Sequence, residues 1–305
     1  MLYAVTVCIW GSTWLGIKFQ LGDVDPLVSV IYRFCAATLL LFAWCGLRRL
    51  KMRFGLRDHL FIALQGACLF GINYWLVYLA EVHLTSGIVA VVFSTIVFWN
   101  ILNGRIFLKA PIRANVVCGA VLGIVGIGLV FWSELSGFSL DDAGFKGFAL
   151  SVAATLMASF GNILSARNQR HGLPVVQTNA YGMAYGVLSL LAAALVAGKT
   201  FGFDSSPAYI LSLSYLALFG SVVAFGCYLT LVGRIGADRA AYASLLFPII
   251  ALIISTLFED YRWSLPAIVG VAVILAGNAL ALAKVDLPAV RMWIFGRTGR
   301  QMNAR

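Results

Sequence analysis

The chain has 305 residues, of which 61% are hydrophobic and only 11% charged, and its mean hydropathy is +0.93. Soluble domains carry roughly 45–50% apolar and about 25% charged residues, so an excess of this size cannot hide in one core. The formal charge of +10 invites a nucleic-acid reading, but where the charges sit assigns them to membrane topology.

Apolar runs of about 20 residues, the length that spans a bilayer as a helix, occur at 2–20, 26–47, 59–80, 84–104, 114–132, 145–164, 175–197, 208–232, 240–258 and 264–284. The runs are continuous, whereas a membrane β-barrel alternates. The expectation is an all-α polytopic membrane protein of ten transmembrane helices. Connections are short and leave no room for a soluble domain.

The first run contains IWGSTWLGIK. Trp10, Trp14 and Lys18 recur every four residues and so form one helical stripe. Trp10 sits mid-run, away from the interfacial belt where tryptophan usually lies. Lys18 nears the run's far end, where snorkelling or pairing with Asp23 or Asp25 is expected. In run two, Arg33 follows Pro26 by seven residues, about 10 Å down a helix, and at that depth it needs a carbonyl, water or an anion. Lys18 and Arg33, two cations in the outer halves of neighbouring runs, are the candidates for attracting the carboxylate of a bound solute, with helix–helix bonding the alternative for Arg33. Run three adds Asn73, Tyr74, Trp75 and Tyr78; run seven adds Tyr181 and Tyr185; run eight adds Tyr228. These aromatics with polar tips predict a central cavity for flat or apolar solutes that carry polar groups.

Run four has Phe93-Ser94-Thr95 where run nine has Phe247-Pro248. Proline removes a backbone hydrogen bond, and hydroxyls perturb nearby carbonyls, so Ser94 is a candidate site residue and Pro248 a candidate hinge. GAVLGIVGIG in run five lacks the preceding strand of a dinucleotide fingerprint and reads as a small-residue packing face.

The runs divide five and five. Gly66 and Gly220, Tyr74 and Tyr228, and Phe93 and Phe247 are each 154 residues apart; Gly119 and Gly270, and Gly126 and Gly277, are each 151 apart. An odd number of spans returns the chain on the opposite side, so the second copy is inverted, as in many secondary transporters. The expected units are a first repeat at 1–134, an inverted repeat at 145–284 and a basic cytoplasmic tail at 285–305. Of the 22 Lys and Arg, seventeen fall on the N-terminal side, three (Lys146, Lys199, Arg262) on the other, and Lys18 and Arg33 within runs. The positive-inside rule then places both termini in the cytoplasm, with membrane lipids as the partner of the basic loops.

All six cysteines lie in apolar runs, which implies neither a disulfide nor a thiolate metal framework. No cofactor, no metal, no nucleic acid and no obligate protein partner is expected. The runs hold no mid-depth Asp, Glu or His to act as a general base, which argues against a membrane enzyme. The same gap favours gradient-following transport over proton coupling, although Glu81 and Glu259 at outer helix ends can still be reached by protons.

Trp10-Gly11-Ser12 followed by Lys18, Arg33-Phe34, and the paired glycine patterns of runs five and ten resemble the drug/metabolite transporter superfamily, EamA type. Within it, Tyr74-Trp75 and Tyr78 are similar to the aromatic helix of bacterial aromatic amino-acid exporters. The resemblance implies a bacterial inner-membrane protein that exports aromatic and other neutral amino acids by alternating access; a broader drug or metabolite exporter of the same fold, possibly proton-coupled, is the alternative. Many members carry a glutamate where this chain has Leu108-Lys109 and a proline where it has Ser94, while Glu259 keeps the acid of run nine.

Overall fold

The structure, a computed structural model, describes residues 1–109, 114–130, 143–235, 240 and 243–283. Among these every regular element is a helix. In chain order they are α1 (Leu2–Lys18), α2 (Pro26–Leu47), α3 (Leu56–His83), α4 (Ser86–Leu108), α5 (Ala114–Val130), α6 (Ala143–Arg170), α7 (Val175–Val196), α8 (Pro207–Ile235), α9 (Ala243–Phe258) and α10 (Leu265–Leu282). Six of them (α2, α3, α4, α6, α7 and α8) are long and apolar enough to cross a membrane, and shorter apolar stretches lie in α5, α9 and α10. The chain is a polytopic membrane protein. The basic tail at 285–305 lies outside the described residues.

Helix starts follow local chemistry. Asp25 accepts from the Leu27 amide at 2.9 Å just ahead of Pro26. Ser206 caps α8 at Tyr209 before Pro207, and Ser264 caps α10 at Ala267. Each side chain satisfies an amide that has no partner in the first helical turn, and proline tolerates that turn because it needs no donor there.

The interior of the long helices holds a feature that apolar patterning does not show. Both α3 and α8 widen into π-helix, at Ala67–Ile72 and Leu216–Val223. Each stretch contains a Phe-Gly pair (Phe70-Gly71, Phe219-Gly220), and such widened turns are frequent at functional sites. Helix α4 is interrupted after Phe93, where Ser94 and Thr95 donate to the carbonyls of Val91 and Val92, each at 2.7 Å. Helix α9 carries Pro248 inside an otherwise continuous run.

The pairing of helices has a pattern. α1 packs on α8 and α9, and α6 packs on α3 and α4; α2 packs on α8, and α7 on α3. Each pairing therefore recurs when five is added to both numbers, counting cyclically. α2 with α7, α4 with α9 and α5 with α10 pair with their own counterparts. One close seam is α5 on α10. A Cβ on Gly126 would stand 2.7 Å from the Gly270 carbonyl, and one on Gly277 would stand 2.7 Å from that of Gly119. The paired glycines are a packing face, because only a missing side chain lets two backbones approach this closely. On the other flank, a Cβ on Gly66 would lie 2.0 Å from the Gly182 carbonyl, so α3 and α7 lock in the same way.

Candidate functional site

At the centre of the bundle lies a cavity of about 50 Å³ walled by Trp10, Trp14, Tyr74, Phe93, Phe225, Tyr228 and Phe247, with Asn73, Asn162, Thr13 and Ser244 among its polar edges. A water needs on the order of 10–15 Å³ by this measure, so the space holds a few waters and is closed around less than an amino acid. No charged residue lines it among the described residues.

The aromatic walls brace one another. The Trp14 ring stacks on Phe247 with centroids 5.8 Å apart and meets Phe93 edge-on at 5.4 Å. Trp10 contacts Tyr228 at 4.8 Å and Phe225 at 5.1 Å. Edge-to-face pairs of this kind add about 0.5–1.5 kcal/mol beyond their buried area. They also fix the orientation of the rings that a flat solute would meet. The Trp10 indole N–H donates to the Gly220 carbonyl in the π-helical turn of α8 at 3.3 Å. Trp10 and Trp14 of the stripe thus face the cavity rather than the bilayer.

Arg33 is 1% exposed and docks on the same widened turn. Its Nε donates to Ser221 Oγ at 3.0 Å, and Ser221 in turn donates to the Leu216 carbonyl five residues back. The guanidinium lies 4.4 Å from the centroid of the Tyr74 ring, the cavity wall, and 5.3 Å from that of Phe34. Cation–π contact of this kind becomes stronger where water is excluded. A hydroxyl and two rings therefore meet much of the need expected of a buried cation.

One expectation is overturned at Lys18. Asp25 pairs instead with Lys199 at 2.7 Å. The Lys18 ammonium donates to the Glu81 backbone carbonyl at 2.6 Å and lies 3.8 Å from the Glu259 carboxylate. Glu259 also accepts from the amide and hydroxyl of Ser86 at the start of α4. Four helices (α1, α3, α4 and α9) are tied together where α1 ends. Glu81 itself is fully buried, and neither carboxylate oxygen has a hydrogen-bond partner. Its helix-end position in sequence gives no sign of that burial.

The other candidates separate. Trp10, Trp14, Tyr74 and Tyr228 come together at the cavity. Tyr78 is fully buried one layer beyond, in electrostatic contact with Arg33 and Glu81. Ser94 is bonded to Asn278 of α10 at 3.1 Å, behind Phe93. Trp75 packs against the core without lining the cavity. Tyr181 and Tyr185 stand apart: their hydroxyls reach the Met52 carbonyl and His59 Nδ1, each at 3.0 Å, beside the α2–α3 connection. Pro248 follows Phe247, so the bend it permits lies next to a wall residue. Residues the sequence reading did not select include Phe225 and Asn162; one is an ordinary apolar residue in an apolar helix, and the other is a lone amide.

The profile of the EamA-like transporter family matches residues 1–132 and 145–283. The chain belongs to that family. It is 30% identical over 257 residues to the uncharacterized inner membrane transporter YedA of Escherichia coli K12, covering 84% of this chain and 80% of that one. Protein PagO of Salmonella typhimurium is 22% identical, with 94% of each chain covered. A probable amino-acid metabolite efflux pump of Escherichia coli K12 is 24% identical, with 91% of this chain and 92% of that one covered. A solved crystal structure superposes with a TM-score of 0.68 at 16% identity, over 92% of this chain and 94% of the other, and shares the fold. Membership makes this EamA-like chain a transporter of small molecules and not an enzyme.

Proposed function

We propose that this EamA-like protein is a bacterial inner-membrane exporter of amino acids, chiefly aromatic and other neutral ones. The observation that carries the reading is the aromatic-walled, uncharged central cavity bordered by amides. Such a wall accepts a planar apolar side chain and gains nothing from a net charge on it. The amino-acid efflux relative and the inner-membrane relative support the substrate class and the location.

The mechanism that fits is alternating access by two inverted five-helix halves within ten transmembrane helices. Cyclic helix pairing, the two π-helical stretches and the two-part family match support that organisation. Sites at a repeat interface near the midplane are a recurring solution in such transporters. The state seen is closed where α1 ends. There α1 touches α4, whereas its counterpart pairing, α6 with α9, makes little or no such contact among the described residues. Both termini lie in the cytoplasm, so the closed end is the external one. Efflux follows the substrate gradient.

Liposomes loaded with labelled phenylalanine, tryptophan, alanine and glutamate decide the matter. The expected result is loss of the first three down their gradients, fastest for the aromatic pair, with no imposed ion gradient. Movement of drugs and metabolites with no preference for amino acids would favour the broader exporter that apolar walls also allow. Flux that requires a proton gradient would replace gradient-following efflux with coupling.

A further inference from the structure

Charged side chains just beyond the cavity have unfinished chemistry. Among the described residues, the charged side-chain atoms that are buried without a hydrogen bond are Arg33 Nη1 and both carboxylate oxygens of Glu81. An unpaired buried charge costs several kcal/mol, so such groups call for a partner. Lys18 is the charge the Glu81 carboxylate feels most, but it forms no hydrogen bond or ion pair with that carboxylate and is itself held by the Glu81 carbonyl and Glu259, while Glu259 is held by Ser86. Arg33 and Glu81 feel each other electrostatically yet form no ion pair. The guanidinium and the carboxylate thus lie beyond ion-pair distance of each other, each with an unused hydrogen-bonding atom.

Their relation to the cavity is close. Tyr74 is a cavity wall on one side and carries Arg33 over its ring. Val77, at the cavity's edge, is four residues before Glu81 and so on the same face of α3. The Trp14 indole N–H, within the wall, and the Tyr78 hydroxyl likewise lack hydrogen-bond partners.

We propose that Arg33, Tyr78 and Glu81 form a subsite for a zwitterionic head group, the α-carboxylate going to Arg33 and Tyr78 and the α-ammonium to Glu81. A zwitterion reaches the unpartnered Arg33 Nη1 and the unpartnered Glu81 carboxylate at once, whereas a simple organic cation or anion reaches one and leaves the other without a partner. The ring of an aromatic amino acid then remains between Trp14 and Tyr74. In the closed state Ile17, next to Lys18, and Val77, four residues before Glu81, line the cavity, and the head group reaches the subsite as the Lys18 end opens. The subsite rests on the amino-acid reading above and assigns Glu81 a role in it.

The test is competition against labelled phenylalanine on purified protein, with phenylalanine, phenethylamine (no carboxylate) and 3-phenylpropionate (no ammonium) as competitors. Wild-type protein should prefer phenylalanine to either analogue by about tenfold or more, the worth of one charged hydrogen bond. Glu81→Gln should weaken phenylalanine and phenethylamine by a similar factor and spare 3-phenylpropionate. Arg33→Gln should do the reverse. Equal losses for all three ligands would make Glu81 a structural or proton-carrying group and overturn the subsite alone. So would a wild-type protein that binds 3-phenylpropionate as well as phenylalanine, a readout that stands even where a variant fails to fold. No binding of labelled phenylalanine would overturn the amino-acid reading and the subsite together.

Discussion

The two ends of the central cavity are closed by different chemistry. Where α1 ends, Lys18, Glu259, Ser86 and Glu81 tie four helices through charges. At the other end the ties are mostly amides and hydroxyls: Asn103 donates to Ser159 at 2.9 Å, Asn168 to Gln65 at 2.9 Å, and Gln169 to the Leu229 carbonyl at 3.0 Å. One cation there, Arg167, packs over the Phe61 ring at 3.5 Å, with no acid paired with it among the described residues. Charges in a membrane interior are expensive to leave unpaired, so opening the first end requires Lys18 and Glu259 to re-pair, with substrate, water or another side chain. Amide contacts between helices are worth only about 0.6 kcal/mol on average and exchange at little cost. Under the alternating-access reading proposed above, the charged end would act as a selective latch and the amide end as a loose one.

The comparison breaks outright if the ends face the wrong compartments. Ser205, exposed ahead of α8, lies near the charged end, and His171, exposed after α6, lies near the amide end. In a background with the exposed Cys8 replaced, Ser205→Cys should react with an impermeant thiol reagent applied outside intact cells, and His171→Cys should not. The reverse labelling overturns export through the charged end. Asn168, also on the amide side, is a poor probe because it is buried and bonded to Gln65.

Next in size is the energetic contrast. Lys18→Met removes the cation shared by Glu259 and the Glu81 carbonyl. Breaking one partner of a buried pair costs about 3–5 kcal/mol. Lys18 keeps 30% side-chain exposure, so about 2 kcal/mol is expected here. Asn103→Leu should cost about 0.6 kcal/mol. Unfolding of both variants in detergent, read against wild type, measures the gap. Equal losses would erase the latch distinction.

Much of this was open to reading from the sequence. Helix positions follow from apolar run length, and the stripe of Trp10 and Trp14 follows from four-residue spacing. The glycine seam of α5 and α10 follows from a pattern shared by two runs. What stayed hidden depends on which helix packs on which. Glu81 and Glu259 are far apart in sequence and at helix ends, so nothing local shows that they meet at Lys18. The π-helical turns of α3 and α8 likewise leave no periodic trace in an all-apolar stretch, yet one of them receives both Arg33 and Trp10.

A smaller effect concerns the wall between the two ends. Trp14→Leu keeps apolar volume but loses two ring contacts, with Phe93 and Phe247. A bound phenylalanine ring loses its partner as well, and at about 0.5–1.5 kcal/mol for that one aromatic pair its binding should weaken by up to about tenfold. Alanine transport should change far less, since a methyl group gains little from ring stacking. Equal losses for both substrates would show that Trp14 shapes the latch rather than the cavity.

The smallest effect is expected at Tyr185, and it tests where the cavity stops. Spacing alone groups Tyr181 and Tyr185 with Tyr74 and Tyr78, because each pair stands four residues apart on a helix. The structure puts the second pair at the amide end beside His59, with Tyr181 and Tyr185 rings 6.4 Å apart and no part in the cavity lining. Tyr185→Phe removes one hydrogen bond, to His59 Nδ1, and keeps the ring. A partly buried bond of that kind contributes about 1 kcal/mol, so a slight fall in thermal stability should accompany unchanged phenylalanine flux. Tyr228→Phe provides the contrast, since its hydroxyl borders the cavity and accepts from Asn162 at 3.4 Å; its flux should fall severalfold. A Tyr185→Phe protein with intact stability and reduced flux would move the substrate path to α7 and past His59.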